Sequence, residues 1–239
     1  MSNQPFALVL FDVDGTLVRT EGPSPHSRAF RAAFKEVFGV DCQFTRGLHG
    51  MVDLQIFMTL AQDMGLGDGQ LLEQALRACR TMVQVYQTRN ETDGHYVALP
   101  GARAALESLA RRGALLGLLT GNAPEIAADK LASVGLREFF SFGAYGTEAL
   151  DRSALPPMAI ARAEALIGRP IERRSVFVVG DTARDVACAL DNNCRAVAVA
   201  TGHVPFAELE AAGAELVLPD LQDIEPLLRL TKLSCPEMP

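Results

Sequence analysis

Lysine is almost missing from this chain, which carries 22 basic residues of which only Lys35, Lys130 and Lys232 are lysine. No lysine at all lies between Lys130 and Lys232. The acidic excess gives a net charge of −7, and so weak a basic footprint excludes a protein that grips a nucleic-acid backbone. A small-molecule substrate is expected instead. No apolar run approaches the roughly 20 residues that a membrane span needs. The amino terminus MSNQPF lacks the basic region and apolar stretch of a signal peptide, so the expected address is the cytosol, with no membrane partner. The five cysteines, Cys42, Cys79, Cys188, Cys194 and Cys235, form no Cys-x-x-Cys pair and have irregular spacing. Neither a disulfide framework nor a zinc site is indicated. Internal repeats and low-complexity tracts are also missing.

What is present is apolar mass and alternation. With 239 residues, 49% of them hydrophobic, the chain is large enough for one domain or for one domain carrying a smaller insert. Ala7 to Phe11 is a short apolar run of the kind a buried parallel strand shows, and Leu115 to Leu119, Val176 to Val179 and Ala196 to Ala200 repeat it. Helical patterns at Ala102 to Arg112, Ala159 to Ile167 and Ala183 to Asp191 separate them, the first two closed by Gly113 and Gly168. Strands alternating with helices predict an α/β fold with a parallel sheet covered on both faces.

Between about Thr20 and Tyr96 that rhythm stops, leaving three helical stripes and no convincing strand. Phe30, Phe34, Val37 and Phe38 form the first, with Ser24 and Pro25 as cap and first residue. The second is Ile56, Leu60 and Met64, ending near Gly65, and the third Leu72, Ala75, Leu76, Cys79, Val83 and Tyr86. All read as core faces of a helical module inserted after the first strand.

In an open parallel sheet, ligands bind beyond the carboxyl ends of the strands. The first strand runs into Asp12-Val13-Asp14-Gly15-Thr16, where two carboxylates two residues apart can face one crevice and Gly15 lets the backbone turn. The next delivers Thr120-Gly121-Asn122, a hydroxyl beside the free amides of a helix start, with Asn122 placed as a cap three residues before Glu125. The third delivers Gly180-Asp181, with Asp185 on the following turn. Each signal alone is also what an ordinary turn or helix cap looks like. Their coincidence at the ends of separate strands is more specific.

In these residues the chain resembles the haloacid dehalogenase-like (HAD) superfamily, whose first, second and fourth signatures match LVLFDVDGT, LLGLLTGN and VFVVGDTARD in order and spacing. The resemblance covers essentially the whole chain, and within the superfamily it is to subfamily I, with phosphoglycolate phosphatase-like members. It implies a Rossmann-like catalytic core over residues 1–19 and 97–239, and an α-helical type-1 cap domain over 20–96. The third signature departs: the family usually places a lysine shortly before the fourth motif, and here Arg152 holds that place. Arginine is permanently charged and could neutralise the same carboxylate and phosphoryl group with a different shape.

The chemistry the resemblance implies is a magnesium-dependent phosphatase acting on a small phosphorylated metabolite. Asp12 is the expected nucleophile, forming an aspartyl-phosphate, and Asp14 the acid and base. Asp12, Asp181 and the main-chain carbonyl of Asp14 are the expected ligands of Mg2+. Thr120, Gly121 and Asn122 would hold the transferring oxygens, and Asp185 would orient Arg152 or a water. In the loop between the first two cap helices, Arg46 and His49 are the candidates for substrate selection, and Asp53 is a candidate cap of the next helix. His26 and His95 are placed near the hinges rather than in the chemistry. A phosphosugar mutase would share the same core; a dehalogenase would lack Asp14, and a non-catalytic binding module would have lost one of Asp12, Asp14 and Asp181. The expected assembly is a monomer or homodimer.

Overall fold

A computed structural model of the chain describes residues 6–42, 47–66, 69–88 and 92–233. In chain order the elements are β1 (Leu8–Phe11), β2 (Val18–Glu21), α1 (Pro25–Phe38), α2 (Asp53–Asp63), α3 (Leu71–Gln87), β3 (His95–Ala98), α4 (Ala102–Arg111), β4 (Leu115–Thr120) and α5 (Pro124–Ser133). They continue with β5 (Gly143–Tyr145), α6 (Leu155–Ile167), β6 (Val176–Gly180), α7 (Ala183–Asp191), β7 (Arg195–Val199), α8 (Phe206–Ala211), β8 (Leu216–Leu218) and α9 (Glu225–Thr231).

Six strands form one parallel sheet in the order β5-β4-β1-β6-β7-β8. The period-2 geometry of a strand explains its near-continuous apolar sequences, because alternate side chains feed two different cores. Val9 and Phe11 of β1, with Phe177 and Val179 of β6, join the core that includes Leu106 and Leu109 of α4. Leu8, Leu10, Val176 and Val178 join the opposite one, built with Leu155 and Ile160 of α6 and Val186 of α7. The fold is α/β with a Rossmann-like parallel sheet, as its sequence pattern predicts.

Strand β1 lies between β4 and β6, so the chain leaves it on one side first and reaches the other later. That reversal opens a crevice beyond its carboxyl end. Asp12 N donates to Val179 O at 2.9 Å, which fixes the start of the following loop against β6.

Helices α1, α2 and α3 enclose a third core of Phe30, Phe34, Phe57, Leu60, Ala75 and Met82. Ser24 caps α1 by accepting a hydrogen bond from Ser27 N at 3.2 Å, and Pro25 follows at the first helical turn, as the sequence predicts. Of the third stripe, Ala75, Cys79 and Tyr86 are buried and Leu76 and Val83 pack half-buried against this core, whereas Leu72 is exposed and Leu71, Ala78 and Met82 widen the buried face. Two strands that the sequence reading passed over connect this helical unit to the sheet. β2 and β3 pair antiparallel, Val18 opposite Ala98 and Glu21 opposite His95. The expected junctions, after Arg19 and before Val97, both fall inside this ribbon. Its residues are mixed and half exposed, so the two four-residue strands carry little apolar alternation to read. The short strands β5 and β8 were hidden for the same reason of length.

Among the described residues no helix is long and apolar enough to cross a membrane. Cys42, Cys79, Cys188 and Cys194 are buried free thiols, and Cys235 lies outside the described residues.

Candidate active site

The turn after β1 is held by its own backbone: Gly15 N donates to Val18 O at 2.8 Å, and Val18 N returns a bond to Val13 O at 3.0 Å. Gly15 has φ +78°, and any Cβ there would run into the Asp181 carboxylate. Glycine is needed both for the left-handed backbone and for the close approach. The loop therefore brings Asp12, Gly15 and Thr16 against the end of β6.

Asp12, Asp181 and Asp185 are all buried, and an oxygen from each lies within 4.8 Å of the others. Between them sits Arg152, only 5% exposed. Its Nη2 donates to Asp185 Oδ1 at 2.6 Å and to Leu119 O at 3.2 Å, and stands 3.1 Å from Asp12 Oδ1. The second oxygen of Asp185 closes a capping box, accepting from the backbone N and the hydroxyl of Thr182 at 3.1 and 2.6 Å. Helix α7 thus starts on the residue that orients Arg152.

Three carboxylates and one guanidinium leave the cluster with excess negative charge. Burial, opposed by Arg152 and reinforced by Asp185 and Asp14, pushes Asp12 up to about 6. Burial and then the charges of Asp12 and Asp185 push Asp181 up to about 8, against the pull of Arg152. Hard oxygen donors whose mutual repulsion is unrelieved are the donor set that suits Mg2+.

Asp14 faces a different neighbourhood. Burial alone would raise it, but the Lys130 ammonium, His26 and hydrogen bonds from Lys130 and Asn122 outweigh that and hold it below the usual carboxylate range. Lys130 Nζ lies 2.8 and 2.6 Å from its two oxygens. Asn122 Nδ2 donates to Asp14 Oδ2 at 2.8 Å and to Thr120 Oγ1 at 2.7 Å, while Asn122 Oδ1 accepts from Lys130 at 2.7 Å. Asn122 is therefore not the cap of α5: Ala123 holds that position, without a side-chain cap bond, and Pro124 begins the helix.

Asp12, Asp14, Thr120, Asn122, Arg152 and Asp181 line one cavity of about 770 Å³, together with Gly121, His26, His49, Asp53 and His203. Its roof is the segment preceding α2, which is tied to the sheet. His49 O accepts from Arg184 Nε at 3.0 Å, Gly50 O from Arg152 Nη1 at 3.1 Å, and Asp53 N donates to Gly121 O at 2.9 Å. Gly121 has to be glycine here, since a Cβ would meet the Met51 carbonyl. Asp53 is the first residue of α2 rather than its cap, and its Oδ2 accepts from Ala123 N at 3.2 Å. The His49 ring lies 4.7 Å from that of His203, centroid to centroid, and burial followed by the charge of His203 lowers its pKa. Arg46 lies outside the described residues.

The structure thus gathers Asp12, Asp14, Thr120, Gly121, Asn122, Arg152, Asp181 and His49 around one cavity, with Asp185 behind Arg152. Lys130 and His26 were missed as part of it. His26 lines the cavity and its Nδ1 is 3.2 Å from Lys130 Nζ, whereas His95 is exposed on β3 beside Glu21. A signal for Lys130 was available: it sits on the buried stripe of α5 with Ile126, Ala127 and Leu131, where an unpaired lysine is not tolerated.

Comparison with known proteins agrees with this geometry. A family model described as haloacid dehalogenase-like hydrolase matches residues 6–191. A phosphoglycolate phosphatase of Chromobacterium violaceum is 28% identical over 231 residues, covering 92% of this chain and 96% of its own. One from Yersinia pseudotuberculosis is 25% identical over 242 residues, covering 96% of each. Among solved structures, a hydrolase from Pseudomonas syringae is 25% identical with a TM-score of 0.62, over 93% of this chain and 98% of that one. The matched span contains Asp12, Asp14, Thr120, Arg152, Asp181 and Asp185, and the chain belongs to the haloacid dehalogenase-like hydrolases.

Proposed function

We propose that the chain is a phosphatase that hydrolyses a small phosphorylated metabolite, with Mg2+ as cofactor and Asp12 as nucleophile. The observation that carries this reading is the convergence of Asp12, Arg152 and Asp181, backed by Asp185, on the floor of a cavity that Asp14 and Thr120 also line.

An oxygen of Asp12 attacks phosphorus, the bond from phosphorus to the ester oxygen breaks, and Asp14 gives its proton to the departing alkoxide. The arriving phosphate dianion puts negative charge beside Asp14, which opposes the effect of Lys130 and favours the protonated acid. Water then attacks phosphorus, Asp14 takes its proton, and inorganic phosphate leaves as Asp12 is restored. Arg152 counters charge on Asp12 and on the transferring group, oriented by Asp185. Because Thr120 Oγ1 already accepts from Asn122, its own hydrogen is free to meet a phosphate oxygen, alongside the backbone near Gly121 and Asn122. Asp12, Asp181 and the main-chain carbonyl of Asp14 would hold Mg2+. When bound, the metal offsets the repulsion between the anionic ester and the attacking carboxylate.

Residues 20–96 act in this reading as a cap that closes over the cavity, and Arg46 and His49 choose the leaving group. The relatives named phosphoglycolate phosphatase make 2-phosphoglycolate the first ester to test. Phosphate release is to be measured over a panel of monoesters that includes it, with Mg2+, after chelation and with Asp12→Asn. Release from at least one ester, lost in both controls, is expected. Release from none overturns the reading.

A further inference from the structure

We propose that Lys130 is a positioning residue for proton transfer, fixing the Asp14 carboxylate with one side turned to the cavity. The proposal rests on the reading of Asp14 as the acid and base. Lys130 is 1% exposed and does not line the cavity, so it is not placed to touch the ester. A buried ammonium needs acceptors for all its hydrogens. It finds both oxygens of Asp14, Asn122 Oδ1 and His26 Nδ1, with the Tyr96 ring 5.5 Å from Nζ.

The geometry of Asp14 follows. Its two oxygens are held by Lys130 and one of them also by Asn122, yet its side chain stays 42% exposed. A carboxylate anchored on one side and open on the other presents a lone pair or a proton in one fixed direction. The anchor extends into the helical unit. His26 Nδ1 of α1 lies 3.2 Å from Lys130 Nζ, and its Nε2, buried without a hydrogen-bond partner, stands 3.3 Å from Asp53 Oδ2 of α2. Asp53 in turn holds Ala123 N at the start of the helix that carries Lys130. A cation required for the fold alone would need only to be paired; this one holds both oxygens of a single carboxylate.

The discriminating measurement is dependence on the leaving group. An alkyl ester needs a proton from Asp14 as it departs, whereas p-nitrophenolate leaves well without one. Wild type, Lys130→Met and Asp14→Asn are compared by kcat/KM, which reports the first phosphoryl transfer, on 2-phosphoglycolate (or the best alkyl ester of the panel) and on p-nitrophenyl phosphate. Lys130→Met is expected to lose about 10²-fold on the alkyl ester and less than about tenfold on the aryl one. Asp14→Asn should show the same bias more strongly. Equal losses on the two esters for Lys130→Met, with the bias kept in Asp14→Asn, overturn the proposal, and so does undiminished turnover of both. No bias in Asp14→Asn overturns the reading of Asp14 itself. Should Lys130→Met not fold, His26→Phe, which removes one acceptor and leaves the ammonium, is expected to show the bias at smaller size, and an unbiased loss there is equally decisive against it.

Discussion

Arg152 Nη2 stands 3.1 Å from the Asp12 carboxylate, both side chains buried at the floor of the cavity. The same nitrogen donates to Asp185 at 2.6 Å, so one guanidinium bridges two carboxylates that would otherwise repel. Removing it leaves buried charge uncompensated, which is typically worth about 3–5 kcal/mol. Arg152→Ala is therefore expected to lower the melting temperature as well as turnover, the latter by about 10³-fold if a positioned donor is lost. Arg152→Lys should recover part of the turnover, limited by its shorter reach and missing fork. Melting curves and kcat for the three proteins check this, and near-native kinetics for the alanine variant would show the residue to be peripheral.

Asp12→Asn keeps the shape of the side chain and removes the nucleophile. Burial already disfavours the charged form of Asp12, so the amide should leave the melting temperature unchanged or higher while phosphate release falls by at least about 10³-fold. Circular dichroism together with turnover of a generic aryl phosphate checks both halves.

Strand ends were the legible part of this site, because a buried parallel strand reads as an apolar run and its first polar residue marks the crevice. Asp12, Thr120 and Asp181 follow directly from that rule. Arg152 needed the family pattern as well, since it lies in a short 3-10 turn, Arg152–Ala154, with no periodicity of its own. Lys130 and His26 project from α5 and α1: a lysine on a buried stripe was a signal in itself, but only the folded chain shows that the two meet at 3.2 Å. The ribbon of β2 and β3 escaped because two half-exposed four-residue strands are stabilised by each other, not by a pattern within either.

Asp181 gives a pH signature. Its folded value near 8 lies above the ordinary 3.8, so the folded state binds the extra proton across that interval. The stability this contributes is complete below about pH 4 and is lost as pH rises through about 8. In metal-free protein, Asp181→Asn should melt with wild type at the acid end and increasingly above it toward pH 8. Added Mg2+ should raise the wild-type melting temperature more at pH 8 than at pH 5, because the ligand must be ionised to bind. Thermal melts at both pH values, with and without Mg2+, decide it; an equal gain at both would remove Asp181 from the metal site. Chelation should abolish turnover and Mg2+ restore it.

The roof of the cavity can be tested by separating contact from closure. His49 faces the cavity and His203, so His49→Ala should change relative kcat/KM among natural esters by about tenfold or more, while altering p-nitrophenyl phosphate much less, as differential binding of a leaving group requires. Gly121 acts differently. Its carbonyl accepts from Asp53 N at 2.9 Å, and its missing Cβ leaves room for the Met51 carbonyl, so the segment before α2 can rest on the end of β4. Gly121→Ala forces that segment, His49 included, away from the end of β4. Closure that excludes water serves every ester alike. The alanine variant should therefore lower kcat/KM on p-nitrophenyl phosphate as well as on the natural esters, whereas His49→Ala largely spares the aryl phosphate. Kinetics of both variants on one panel measures the contrast. If Gly121→Ala spares the aryl phosphate as His49→Ala does, the roof does not contribute closure, and if His49→Ala lowers all esters equally, the assignment of selection to His49 fails.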